Sequence, residues 1–168
     1  MEASIRLYSL SYSEKLTYLA AALFIACNIA LPQLFHLIPQ GGIIFSPLSL
    51  VIMAGAYKLG WRAALLAAVA SPVVNHALFG MPAADVMTLM AVKLSLLAII
   101  AGLAAQYFKS VSLPILVGVV LTVKAFDFLA EFLLTGNVAA TVADFTIGWP
   151  GLLLQVLGTY AILKIWKS

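Results

Sequence analysis

Residues 45–93, FSPLSLVIMAGAYKLGWRAALLAAVASPVVNHALFGMPAADVMTLMAVK, decide how the chain is read. Two apolar helical segments meet at the short basic turn YKLGWR, residues 57–62. A polar SPVVNH cluster, residues 71–76, falls late in the second segment, and the uncharged turn LFGMP follows. A third helix then carries Asp85 and Lys93. Basic turns stay on the cytoplasmic side of a membrane, so YKLGWR marks the inside and LFGMP the outside. The polar groups between them lie where lipid makes them costly. This pattern predicts a small integral membrane protein that handles a polar solute.

Composition agrees. Apolar residues make up 64% of the 168 and charged residues only 9%, against about 25% charge in soluble domains. The net charge of +3 forms no nucleic-acid patch, because the basic residues sit singly at segment ends. The lone cysteine, Cys27, lies inside an apolar segment and reads as a small buried hydrophobe. The opening MEASIRLYSLSYSEKL lacks a compact apolar core followed by a cleavage site, so no removed signal peptide is expected.

Working outward, the expected spans are Glu14–Leu34, Pro47–Leu59, Arg62–Leu78, Ala84–Tyr107, Leu113–Leu134 and Ala139–Ile165. The second is only about 20 Å long at 1.5 Å per residue, short for a hydrocarbon core of ~30 Å. It is either tilted under the preceding loop or entered through a buried, irregular GGIIF segment. Pro32 is expected to end or kink the first span, and the loop from Gln33 to Phe45, with His36 and Pro39 to Gly42, is long enough to fold back as a lid. Arg6, Lys15, Lys58, Arg62, Lys109, Lys164 and Lys167 all fall on one side of this topology, while the three opposite turns carry no basic residue. The expected architecture is therefore an all-α bundle of six transmembrane helices. Both termini are cytoplasmic, and residues 1–168 form a single domain.

Lys93, Lys124, Asp127, Glu131 and Asp144 lie within apolar spans, and such groups are candidates for function. Lys124, Asp127 and Glu131 have the spacing of intrahelical partners, so structural pairing competes with a solute role. Lys93 has no partner nearby in sequence, so it is expected to contact an anionic solute with Asn75 and His76, Trp149 lining the opposite wall. The competing reading is neutralisation across the bundle by Asp127 or Asp144. A satisfied histidine is the alternative for His76, and a lipid-interface position for Trp149. Asp85, in the first turn of its helix, completes the candidate set. The break at Gly148 to Gly151 is of the kind that transporters use to hold solutes. Ala22, Ala26 and Ala30 form a small-residue stripe, suited either to another protein's helix or to packing within the bundle. No HxxxH, CxxC or GxxxxGK[ST] spacing occurs, which argues against a metal site and against ATP hydrolysis by this chain. No cofactor and no enzymatic activity are expected.

The run from Phe45 to Pro82 resembles the second and third helices of the substrate-binding S components of energy-coupling factor vitamin transporters, in a branch without an assigned substrate. The Ser46-Pro47 entry, the Gly60 turn, the second Ser71-Pro72 and the closing Gly80-Met81-Pro82 carry the likeness. That resemblance implies capture of a vitamin-like solute at the outer face of the plasma membrane. Transport would be completed by a transmembrane T component and two cytoplasmic ATPases. It also implies that the Ala22–Ala26–Ala30 stripe contacts the T component and that the outer ends of the last three helices supply most of the pocket. One departure stands out. Many relatives place a histidine shortly after the first Ser-Pro, where this chain has Leu48-Ser49-Leu50. A stand-alone permease and a non-transporting membrane scaffold are the competing functions.

Overall fold

The computed structural model describes residues 9–35, 37 and 41–166, without the side chains of residues 42, 43 and 140. The helices are α1 (Lys15–Phe35), α2 (Gly41–Phe45), α3 (Pro47–Leu59), α4 (Trp61–Phe79), α5 (Ala84–Phe108), α6 (Leu113–Thr135), α7 (Val138–Ile147) and α8 (Trp149–Ile165). The all-α expectation holds, with boundaries close to those read from sequence. Helices α1, α4, α5 and α6 are each long and apolar enough to cross a membrane. The pair α7–α8, bent by 54°, makes a fifth crossing if its two halves form one span. These helices make the chain a candidate multi-pass membrane protein.

The short helix α3 sits at the centre. Ile52 to Lys58 are buried without interruption, so every side of this stretch faces protein, supplied by α1, α4, α5 and α8. A helix enclosed in this way need not match the bilayer thickness, because neighbouring helices rather than lipid surround its ends. The GGIIF entry packs against α8, with Gly41 buried and Ile44 and Phe45 half-buried, and it is a helical turn and not an irregular segment. Gly151 makes that contact possible, since a Cβ there would lie 2.7 Å from the Ile44 carbonyl oxygen. A single residue, Gly60, connects α3 to α4. Its φ of 98° and ψ of 156° fall in a region essentially restricted to glycine.

The interior is built from small side chains. Ala63, Ala64, Ala67 and Ala68 of α4 and Ala98 and Ala101 of α5 are fully buried, while Leu19, Leu121, Leu133 and Leu157 are exposed. Small residues inside and large apolar residues outside suit helices that associate in lipid, where close backbone approach replaces the hydrophobic effect. Gly102 shows how close that approach is. A Cβ at this position would lie 2.7 Å from the backbone nitrogen of Trp61.

Neither Pro32 nor Pro72 ends its helix. α1 runs through Pro32 to Phe35, and α4 runs through Pro72 to Phe79. The break in the last segment is real: α7 stops at Ile147, and α8 begins at Trp149 with Pro150 in its first turn, where a missing N–H is tolerated.

The basic residues at helix ends gather at one end of the bundle. Arg62 lies over the rings of Tyr12 and Trp61, joining the approach to α1 to the start of α4. Lys58 is buried, and its Nζ donates to the Trp166 carbonyl at 2.7 Å, tying the end of α3 to the end of α8. Lys15, Lys109 and Lys164 occupy helix termini at the same end. At the opposite end, the described residues of the α1–α2, α4–α5 and α6–α7 connections include no lysine or arginine.

Candidate functional site

The end of the bundle opposite Lys15, Lys58, Arg62, Lys109 and Lys164 is hollow. On α5, Val86, Leu89, Met90, Lys93, Leu94 and Leu97 recur at helical spacing and form one wall. On the antiparallel α6, Val120, Val123, Lys124, Asp127 and Glu131 form the facing wall. Pro32 and Gln33 of α1, Ser46 to Ser49 at the entry of α3, Asn75 of α4, the α4–α5 turn, Asp144 of α7 and Gln155 of α8 also contribute to the lining. The cavity has a volume of about 580 Å³, within the ~300–1,000 Å³ typical of small-molecule sites. The other half of the bundle is filled by Ile52, Met53, Tyr57, Ala64 and their neighbours, so the hollow lies at one end.

Helical phase brings the charges together. Lys93 Nζ donates to Glu131 Oε2 at 2.5 Å and to Asp144 Oδ2 at 2.8 Å, crossing from α5 to α6 and to α7. Charge-assisted bonds of this length are stronger than neutral ones. Lys124 lies 3.5 Å from Asp127 Oδ2, one turn away on α6. The second Asp127 oxygen, Oδ1, is buried and has no hydrogen-bond partner among the described residues. The cavity wall thus holds three carboxylates and two ammonium groups.

Beside this charged wall, a polar link joins α1 to α4. Asn28 Nδ2 donates to Ser71 Oγ at 3.0 Å, while Asn75 Nδ2 donates to the Asn28 carbonyl at 3.0 Å and to the Ser71 carbonyl at 2.9 Å. Asn75 is therefore anchored and also lines the cavity.

The structure sorts the residues singled out from sequence. Asn75, Lys93, Asp127, Glu131 and Asp144 share the cavity wall. His76, Asp85 and Trp149 do not belong to it. His76 Nδ1 lies 2.8 Å from the Pro82 carbonyl, closing the α4–α5 turn, as the satisfied-histidine alternative held. Asp85 is exposed, one position round the helix from the lining residue Val86. Trp149 is 58% exposed, so it does not form the wall opposite Lys93. Lys93 itself is not a lone cation awaiting an anionic solute. Glu131, which the competing reading did not include, and Asp144, which it did, engage it from two other helices.

Lys124 and Gln155 are cavity residues beyond the candidate set. Lys124 reads in sequence as one of the ionisable groups within apolar spans, with pairing to Asp127 as the competing role, and that contact exists. Gln155 gave a usable signal as an amide in an otherwise apolar stretch, and it is buried. Gln33, Gly41 and Ser46 reach the cavity rim, whereas His36 and residues 38–40 of the expected lid lie outside the described residues.

Ala22, Ala26 and Ala30 all face outward on α1. The inner face of that helix is Thr17, Ala20, Ala21, Phe24, Asn28 and Pro32. The alternative of packing within the bundle is therefore removed. Comparison with protein-family models, with curated proteins and with solved structures gives no match to this chain.

Proposed function

We propose that the protein is the solute-capture subunit of an ATP-driven micronutrient uptake system. It binds a vitamin-like small molecule at the outer face of the plasma membrane and passes it on through a transmembrane T component driven by two cytoplasmic ATPases. In this reading the bundle crosses the membrane six times, counting α3 and the bent α7–α8 pair as one crossing each, with both termini in the cytoplasm. The chain is not itself an enzyme. The observation that carries the proposal is the cavity of about 580 Å³ toward the end whose described turns carry no lysine or arginine, with a filled half toward the other end. A hollow confined to one half of the bundle suits capture and hand-over, whereas a lone permease must offer access from both sides.

Two further features support it. The alanine stripe presents a smooth face on the outside of α1, as a helix of another membrane protein requires for close approach. The resemblance of Phe45 to Pro82 to S components assigns that stripe the same partner. The test is to purify the protein in detergent and identify what elutes with it. Capture predicts one small solute at near-stoichiometric amounts, and co-elution of ATPases from native membranes places the protein in the coupled system. A scaffold subunit would carry no solute.

A further inference from the structure

The charge balance of the cavity says what kind of solute it accepts, an inference that rests on the capture reading above. Lys93 is fully engaged between Glu131 and Asp144, at 2.5 and 2.8 Å. Lys124 reaches only one oxygen of Asp127, at 3.5 Å, beyond the ~2.7–2.9 Å of a strong ammonium–carboxylate bond. The Asp127 side chain is only 8% exposed, and its Oδ1 is buried without a donor among the described residues. A carboxylate oxygen in that position is costly until a proton donor reaches it. The wall therefore holds one carboxylate in excess, and Asp127, paired only with Lys124 at 3.5 Å, is the least tightly held of the three.

An anionic solute would add to this excess of negative charge, and each ammonium group already faces a carboxylate. A solute carrying a protonated nitrogen meets the opposite situation. It supplies the missing donor to Asp127 and balances the wall without disturbing Lys93. Next to Asp127 the lining is apolar, with Met90, Leu94, Val120 and Val123, and it suits a hydrocarbon or ring body. We propose that the cavity selects a monocationic solute, an ammonium, amidinium or protonated ring nitrogen on an apolar body, held at the Asp127 carboxylate.

Three planar molecules of nearly equal size isolate the charge: benzamidinium, benzamide and benzoate. Each is titrated at pH 7.5 into purified, exhaustively dialysed protein, following heat of binding and thermal melting. Benzamidinium should bind saturably, at least tenfold tighter than benzamide, with benzoate weakest. Asp127→Asn should abolish that preference, while Asp85→Asn, an exposed carboxylate outside the cavity, should keep it. Should Asp127→Asn fail to fold, Asp144→Asn removes the same unit of charge and should reduce the preference severalfold. Tightest binding of benzoate would overturn the cation site and leave capture standing. A preference that survives both Asp127→Asn and Asp144→Asn overturns the site as well, and so does a lack of response to all three compounds. Capture itself is decided separately, by the co-eluting solute.

Discussion

At the scale of single residues, Lys93 is the group on which the cavity wall depends. It neutralises Glu131 and Asp144 from two other helices at once. Lys93→Met would leave both carboxylates without a counter-charge in a low-dielectric wall. Removing one partner of a buried ion pair costs ~3–5 kcal/mol. Asp144 is 42% exposed toward the cavity side, so the lower part of that range is expected. Thermal melting of the solute-free protein measures it, and adding Glu131→Gln and Asp144→Asn to Lys93→Met should restore much of the loss. A single variant that melts like the parent would mean that the bridges contribute nothing to stability. Asn75→Leu should likewise cost about 1–3 kcal/mol. It deletes the donors to Asn28 and Ser71 that hold α1 against α4. The residue scale is also where sequence reading was weakest. Asp127, Glu131 and Asp144 were visible as ionisable groups in apolar spans, but which of them meets Lys93 depends on helix phase across three segments. His76 and Asp85 carry functional-looking side chains and yet miss the cavity, because one position along a helix turns a side chain by about 100°.

Among the elements, the glycines at close contacts set how the helices meet. Gly102 lies against the Trp61 backbone, so Gly102→Val must separate α5 from α4 and should cost about 1–3 kcal/mol or more. Gly118, with nothing near its Cβ direction, should accept alanine with almost no change, and melting of the two variants side by side makes the comparison. Ala26→Trp belongs to the same scale. The position faces outward, so melting and solute binding should stay close to the parent, within roughly 0.5 kcal/mol as for other surface changes. Uptake by cells should be lost if a partner helix rests on the stripe. Loss of binding together with uptake would return the stripe to an internal role. Most element boundaries were legible because hydropathy and glycine or proline punctuation are local signals. The shortness of α3 was legible too, but its cause was not. Only the assembled bundle shows that α1, α4, α5 and α8 enclose it. The outward direction of the alanine stripe was equally hidden, since small residues mark either kind of close contact.

For the molecule as a whole, the segregation of charge and the position of the cavity point the same way. Lys15, Lys58, Arg62, Lys109 and Lys164 lie at one end, and the cavity lies toward the other. A cysteine placed at Asn137 should react with an impermeant thiol reagent outside whole cells, and one at Ser110 should not. The reverse result would invert the proposed orientation. The central claim is that the hollow end holds a small solute, and native mass spectrometry of the purified protein tests it most directly when a filled variant stands beside the parent. Met90 lines the cavity from α5, and Met90→Trp occupies part of that space while leaving the Lys93 bridges in place. The parent should carry an adduct of one constant mass, a few hundred daltons in keeping with a pocket of this class. The variant should fold and carry none. An unadorned parent, or the same adduct at equal occupancy on both proteins, would contradict the claim.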